Sequence, residues 1–278
     1  MPTNQHDADD GPPELEHHRA RLARAAEHFE AFGALWRDYL NSRPHRLTTT
    51  VDPSGQGELR LIREEPIPRE LALVIGEFLH QLRAGLDNCL YAVAVMDSGV
   101  SPPPDGERLQ WPICLTPAEW KSNTRRYAHL SPDIVDALER IQPYNAAFPA
   151  WNCLRILHDL ARVDRHRTLP VVVLYNSHDG IRFDKRWITD VDVQQGIVHD
   201  GDVLVRFTYT GAEPLGPEHI NGDFEFDVDL ADVAESVGPA GDNPSRPWGP
   251  LDSRLRALYD AVVEYTEGLV HIAGNPSA

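Results

Sequence analysis

The sequence has no apolar run approaching the ~20 residues that cross a bilayer, so no membrane-spanning helix is expected. Its first residues, Met1–Pro13, are polar and acidic, unlike a secretory leader, and are expected to be disordered. Cysteine is scarce. Cys89, Cys114 and Cys153 are odd in number, far apart and set in apolar or helical surroundings. That excludes a disulfide framework and predicts reduced, buried thiols in a cytoplasmic protein. Positive charge is also short: 26 Lys and Arg against 43 Asp and Glu give a formal charge of −17. This counts against broad binding to nucleic-acid backbones but leaves room for a local basic pocket. There is no Gly-x-Gly-x-x-Gly after a strand, no P-loop, no Gly-x-Ser-x-Gly and no Cys-x-x-Cys. A dinucleotide-binding fold, a serine hydrolase and a zinc ribbon therefore lack their signatures. No internal repeat is present. The six tryptophans are scattered, as core residues are.

What is present reads first as helix. Within Pro68–Val95, apolar Leu71, Ile75, Phe78, Leu79, Leu82, Leu86, Cys89, Leu90 and Val93 recur at helical spacing and fill an arc about 120° wide. The same periodicity predicts helices near 14–40, 117–127, 132–141, 150–164 and 251–272. Thr116 and Glu119 form a capping box for the helix at 117–127. His17 and His18, adjacent and pointing apart, read as solvated. From Thr168 the period shifts to two. Strands are expected at Leu169–Tyr175, Gly180–Phe183, Trp187–Val193, Gly196–His199, Val203–Tyr209 and Asp223–Leu230, and a hairpin at Arg46–Arg63. In Asp223–Leu230 the carboxylates of Asp223, Glu225, Asp227 and Asp229 form a solvent face. Pro239–Pro250 reads as a linker and Gly274–Ala278 as a frayed tail. The sum is an α+β protein, a helical bundle core packed with an antiparallel β-sheet. It is expected to be a single integrated domain over 14–272, with helical segments 14–167 and 251–272 and a β-rich segment 168–230.

Two helices carry unusual polar residues beside their apolar stripes. His80, Arg83 and Asp87 border the stripe of the helix at 68–96, within about 60° of one another. His158 and Arg162 flank the helix at 150–164, which closes in a turn at Asp164-Arg165-His166-Arg167. If the helices pack by their stripes, His80, Arg83, Asp87, His158, Arg162 and His166 can meet as one catalytic cluster. A His pair beside Arg can do general acid–base work, with Arg stabilising a developing anion. The bland alternative is a non-catalytic network that fixes helix register. A third reading takes Glu77-x-x-His80 as half of a dimetal site, with Glu27 or Glu30 adding a carboxylate. No cofactor is expected, a homodimer is left open and partners are unknown.

The segment His80-Gln81-Leu82-Arg83-Ala84-Gly85-Leu86-Asp87-Asn88 resembles a helix of an uncharacterised bacterial family that reads His-Asn-Leu-Arg-Ser-x-Leu-Asp-His. Asp164–Arg167 is similar to that family's Asp-Lys-His-Arg turn, Trp111-Pro112-Ile113 to its Phe-Pro-Ile piece and Ile141-Gln142-Pro143-Tyr144 to its Gln-Pro-Tyr. The resembling spans run from Gly76 to Arg167, about a third of the chain. A looser similarity reaches the HEPN helical superfamily, many of whose members are metal-independent ribonucleases using Arg-x4–6-His on a helix. That resemblance implies ribonuclease-type chemistry. Here Asn88 stands where the histidine would be, so His80, His158 or His166 would have to supply the second group.

Overall fold

A computed structural model of the chain describes residues 12–175, 182–194, 196–216, 219–221, 226–230 and 251–275. Residues 1–11 of the expected disordered start, the linker at Pro239–Pro250, the strand residues 180–181 and 223–225 and the last three residues of the tail lie outside the described residues, while Pro13, expected in the disordered start, opens the first helix. The protein is α+β. Its contacts group into two compact units. A helical unit comprises Met1–Ala31, Leu73–Leu169 and Ser253–Ala278, and a β-rich unit comprises Phe32–Ala72 and Pro170–Asp252.

The long helices are α1 (Pro13–Asn41), α2 (Arg69–Ser98) and α6 (Leu251–Gly274), with shorter α3 (Pro117–Asn123), α4 (Pro132–Arg140) and α5 (Cys153–His166). In the helical unit, α2 is the central element. Ile75, Leu79, Leu82, Leu86, Leu90 and Val93 are fully buried, and Phe78 nearly so. Each contributes about 1.5–3 kcal/mol of transfer free energy. α1 lies close against it because Gly85 has no side chain: a Cβ there would sit 3.3 Å from Leu22 Cδ2. His18 Nδ1 then comes 2.9 Å from the Gly85 carbonyl oxygen. This corrects the expectation that His18 is solvated. His17 is exposed, but His18 is 5% exposed, and burial pushes its pKa down. On the other side Cys89 Sγ donates to the Thr266 carbonyl of α6 at 3.7 Å.

Between α2 and α5 the chain carries α3 and α4, and the segments that join them make a hydrogen-bonded frame. Trp111 N–H donates to Asp87 Oδ1 at 2.8 Å. Cys114 N–H donates to Gln142 Oε1 at 2.8 Å, and Gln142 Nε2 donates back to the Leu138 and Pro112 carbonyls at 2.6 and 3.2 Å. Gln142 is buried, so its amide is the hydrogen-bonding partner that this backbone cannot find in water. Thr116 caps α3 as expected, accepting from Glu119 N–H at 3.2 Å, while Glu119 reaches back to Leu115 N–H at 2.6 Å. Asn152 caps α5, accepting from Leu154 N–H at 3.0 Å and Arg155 N–H at 3.3 Å.

The β-rich unit holds antiparallel sheets. The hairpin β1 (His45–Val51) and β2 (Gln56–Arg63) extends through β7 (Val203–Tyr209) to β5 (Ile188–Val193), in the order β1-β2-β7-β5. A second sheet orders β6 (Gly196–Val198), β3 (Val171–Tyr175) and β9 (Phe226–Leu230), and β4 (Arg182–Phe183) pairs with β8 (Ile220–Asn221). Leu59, Leu61, Val173, Ile188, Val198, Leu204, Val205 and Phe207 make one core within this unit. The acidic solvent face expected for β9 fails at Asp229, which is 1% exposed. Val228, Asp229 and Leu230 are all buried, so this end of the strand is covered on both faces and strict alternation no longer reports exposure. Asp229 Oδ1 accepts from Leu230 N–H at 2.7 Å.

Candidate functional site

Gly76, His80, Arg83, Ala84 and Asp87 from α2, His158, Ala161, Asp164 and Arg165 from α5, and Gln110 from the frame line a cavity of about 300 Å³ within the helical unit. On α2 these positions step by four, three, one and three residues, a single column on an ideal helix. Two interactions anchor that column. Asp87 is held from the frame by the Trp111 N–H, and Gly76 lets Asp164 come against the α2 backbone. A Cβ at 76 would lie 2.7 Å from Asp164 Cγ.

Of the six residues expected to form the site, His80, Arg83, Asp87 and His158 share this cavity. Arg162 and His166 are exposed and do not line it. Helix geometry accounts for the difference. With the core side chains Leu154, Leu157 and Ala161 turned inward, Arg162 and His166 lie about 40° and 80° beyond His158 on the outward side, whereas Asp164 and Arg165 fall back toward the cavity. The expected turn at Asp164–Arg167 is in fact the last turn of α5, which runs to His166. That continuation is what gives Asp164 and Arg165 their helical directions. Arg165, Gln110 and Gly76 were missed as site residues. The signal for Arg165 was its seven-residue spacing from His158, which is nearly two full turns.

Charge in the cavity is unevenly satisfied. Arg83 Nη2 is 3.9 Å from Asp87 Oδ1, a loose contact rather than a bidentate pair, and the guanidinium side chain is 24% exposed. Its Nη1 is buried without a hydrogen-bond partner among the described residues. Burial pushes the Arg83 pKa down, partly offset by Asp87. Burial pushes Asp87 up, against Arg83 and the Trp111 N–H. His158 is lowered by burial first, then by the nearby Arg83, with Arg162 and Arg165 adding to Arg83 and Asp159 opposing. Asp164 is raised by burial and pulled back by the facing His80. Behind the cavity Tyr127 donates its hydroxyl to the Gln110 carbonyl at 2.9 Å, and burial holds its pKa at about 12.

The Glu-x-x-His pair separates. Glu77 Oε2 lies 3.2 Å from His28 Nδ1 of α1, while His80 faces the cavity. Among the described residues no group of three or more His, Cys, Asp or Glu side chains is gathered for a metal ion. No helix among them is long and apolar enough to cross a membrane. Cys89 and Cys114 are buried free thiols and Cys153 is a half-buried one. Burial raises all three, Cys89 to about 12, which is the opposite of activation. A larger hollow in the β-rich unit, about 670 Å³, is lined by Phe183, Ile188, Thr189 and Val191 with Arg182 and Lys185, and has no carboxylate or imidazole in its lining. Comparison with protein-family models, with curated proteins and with solved structures gives no match to this chain.

Proposed function

We propose that the cavity between α2 and α5 binds an anionic group and performs metal-independent acid–base hydrolysis of a phosphodiester, chemistry of the ribonuclease type. The observation that carries the reading is Arg83 Nη1. It is a buried, cationic N–H donor with no protein partner among the described residues, beside a histidine held neutral by burial and neighbouring arginines. An unsatisfied buried donor is costly in a protein that only needs to fold. A phosphate oxygen satisfies it and matches guanidinium geometry.

In this reading Arg83 and Arg165 bind the non-bridging oxygens. His158 takes the proton from the attacking 2′-hydroxyl as the new P–O bond forms a cyclic phosphodiester, and His80 gives a proton to the departing oxygen as the old bond breaks. Asp164 is a positioning residue that orients His80. The resemblance of His80–Asn88 to the HEPN-type helix supports the reading, with α5 rather than position 88 providing the second imidazole. The free thiols support a reducing compartment, and we assign the protein to the cytoplasm.

The test is cleavage, in EDTA, of labelled single-stranded RNA and of uridine 3′-(p-nitrophenyl phosphate), which carries the attacking 2′-hydroxyl. Activity is expected in the parent and about 100-fold or greater loss in His158→Ala and in His80→Ala, both still folded. Absence of any phosphodiester cleavage, or cleavage indifferent to both changes, overturns the reading. A second reading, in which the cluster only fixes helix register, has its own observation in the Asp87–Trp111 and Arg83–Asp87 links. It predicts that Arg83→Ala loses stability and nothing else.

A further inference from the structure

We infer that the cavity is the inner part of a longer track and that its substrate is an oligomeric phosphodiester, a short single strand of nucleotides, whose next phosphate lies outside the cavity against Arg162 and His166. The inference rests on the function proposed above and names the substrate class of that site.

In a chain of formal charge −17, the segment Arg155–Arg167 carries four arginines, two histidines and only two aspartates. Neither aspartate neutralises the outward side. Asp159 is taken by Arg155, whose Nε lies 3.2 Å from its Oδ2. Asp164 is turned inward, against Gly76 and toward His80. Arg162, Arg165 and His166 are left exposed, and none of the three is in an ion pair among the described residues.

Arg165 belongs to both places. It lines the cavity and is exposed, so it marks the rim. Arg162 stands about 60° around α5 from it, and His166 follows Arg162 by one turn, with Cβ atoms about 5–6 Å apart. The charge of Arg162 reaches His158 inside the cavity, where it helps to lower that imidazole. A polyanion leaving the cavity past Arg165 therefore meets a second pair of basic side chains, Arg162 and His166. Cations in a final helical turn also favour the macrodipole, which accounts for Arg165 and His166. Arg162 sits a turn earlier, where that effect has faded. The acidity of the rest of the chain keeps the track short.

The experiment measures binding of a fluorescein-labelled, 2′-O-methylated hexanucleotide, which cannot be cut through its 2′ oxygen, to the full chain and to the Arg162→Ala/His166→Ala variant across a salt series. The parent is expected to show a slope of log K against log salt of about −1.4 to −2, two to three phosphate contacts on a single strand. The double variant is expected to bind about tenfold more weakly, with a slope shallower by about 0.7 per lost contact. Equal affinity and slope in the two proteins, or no binding by the parent, overturns the track. Turnover of uridine 3′-(p-nitrophenyl phosphate) by the parent is measured alongside. If that substrate is hydrolysed and the hexanucleotide is not bound, the catalytic reading stands and the track falls. If the hexanucleotide is bound through Arg162 and His166 and nothing is hydrolysed, the track stands as a binding site and the catalytic reading falls.

Discussion

Gly76 of α2 and Asp164 of α5 meet so closely that a methyl group at position 76 would lie 2.7 Å from the Asp164 carboxyl carbon. A glycine inside a helix costs about 0.8–1.0 kcal/mol relative to alanine, so this one is retained against local propensity. Gly76→Ala regains that amount but forces the carboxylate to move, and overpacking of this kind costs about 1–3 kcal/mol. Urea denaturation is expected to show a variant no more stable than the parent and up to about 2 kcal/mol less stable. Phosphodiester cleavage is expected to fall with it, because Asp164 no longer faces His80. A gain of about 1 kcal/mol in the variant would mean that the carboxylate is not held there.

Asp164→Asn separates stability from activity. Burial raises the carboxyl above its ordinary 3.8, so the ionised form is disfavoured in the folded state. Stability from this group is fully present below pH 3.8 and is lost as pH rises through the raised value. At pH 7 the charge is a net cost that the amide removes. The thermal midpoint is expected to hold or rise, while kcat falls about tenfold with KM little changed, because the amide no longer orients His80 as the carboxylate does. A fall in thermal midpoint with kcat intact would reverse the assignment.

His158 sets the acid limb of the rate profile. Its lowered pKa keeps the base neutral below the ordinary 6.5, so kcat/KM is expected to hold below pH 6.5 and to fall as pH drops through the lowered value. Stability follows the same direction. The contribution of neutral His158 is complete above 6.5 and is lost as pH falls through its folded value. After burial, Arg83 is the largest cause of that lowering. An NMR titration of the His158 ring in Arg83→Lys is expected to stay low, and in Arg83→Ala to move back toward 6.5. An unchanged titration in Arg83→Ala would separate the two side chains electrostatically.

The helices, the change of period at Thr168 and the α2 column were legible because they depend on local periodicity, which α2 sustains along its whole length. The α5 half of the site was read one step out of phase. Arg162 stands four residues after His158, and in sequence that looks like a shared face. The direction of the face is set by where Leu154, Leu157 and Ala161 are buried, a tertiary fact. His18 was misread for the same reason, since nothing near it in sequence announces that Gly85 will admit α1 to within reach of its carbonyl. Asp229 obeys the alternation of β9 and is buried nonetheless, because alternation separates faces and does not say which are covered.

Gln142 carries the least obvious dependence. It is 1% exposed and binds three backbone groups, the Cys114 N–H and the Pro112 and Leu138 carbonyls. Through Trp111 the same frame holds Asp87. Gln142→Ala strands buried backbone groups at about 1–3 kcal/mol each, and the loss by urea denaturation is expected to be about 3 kcal/mol. Activity is expected to fall as well, since the frame positions Asp87 and with it Arg83. Gln142→Glu sharpens the test. An ionised carboxylate in place of the amide still accepts from Cys114 but cannot donate to two carbonyls, so at pH 7 this variant is expected to be less stable than the alanine variant. Burial raises the pKa of such a carboxyl, and once protonated it donates again. The deficit of Gln142→Glu relative to the parent should therefore shrink as pH falls. A deficit that stays constant with pH would mean the substituted side chain has turned away from Pro112 and Leu138, and that the frame does not depend on it.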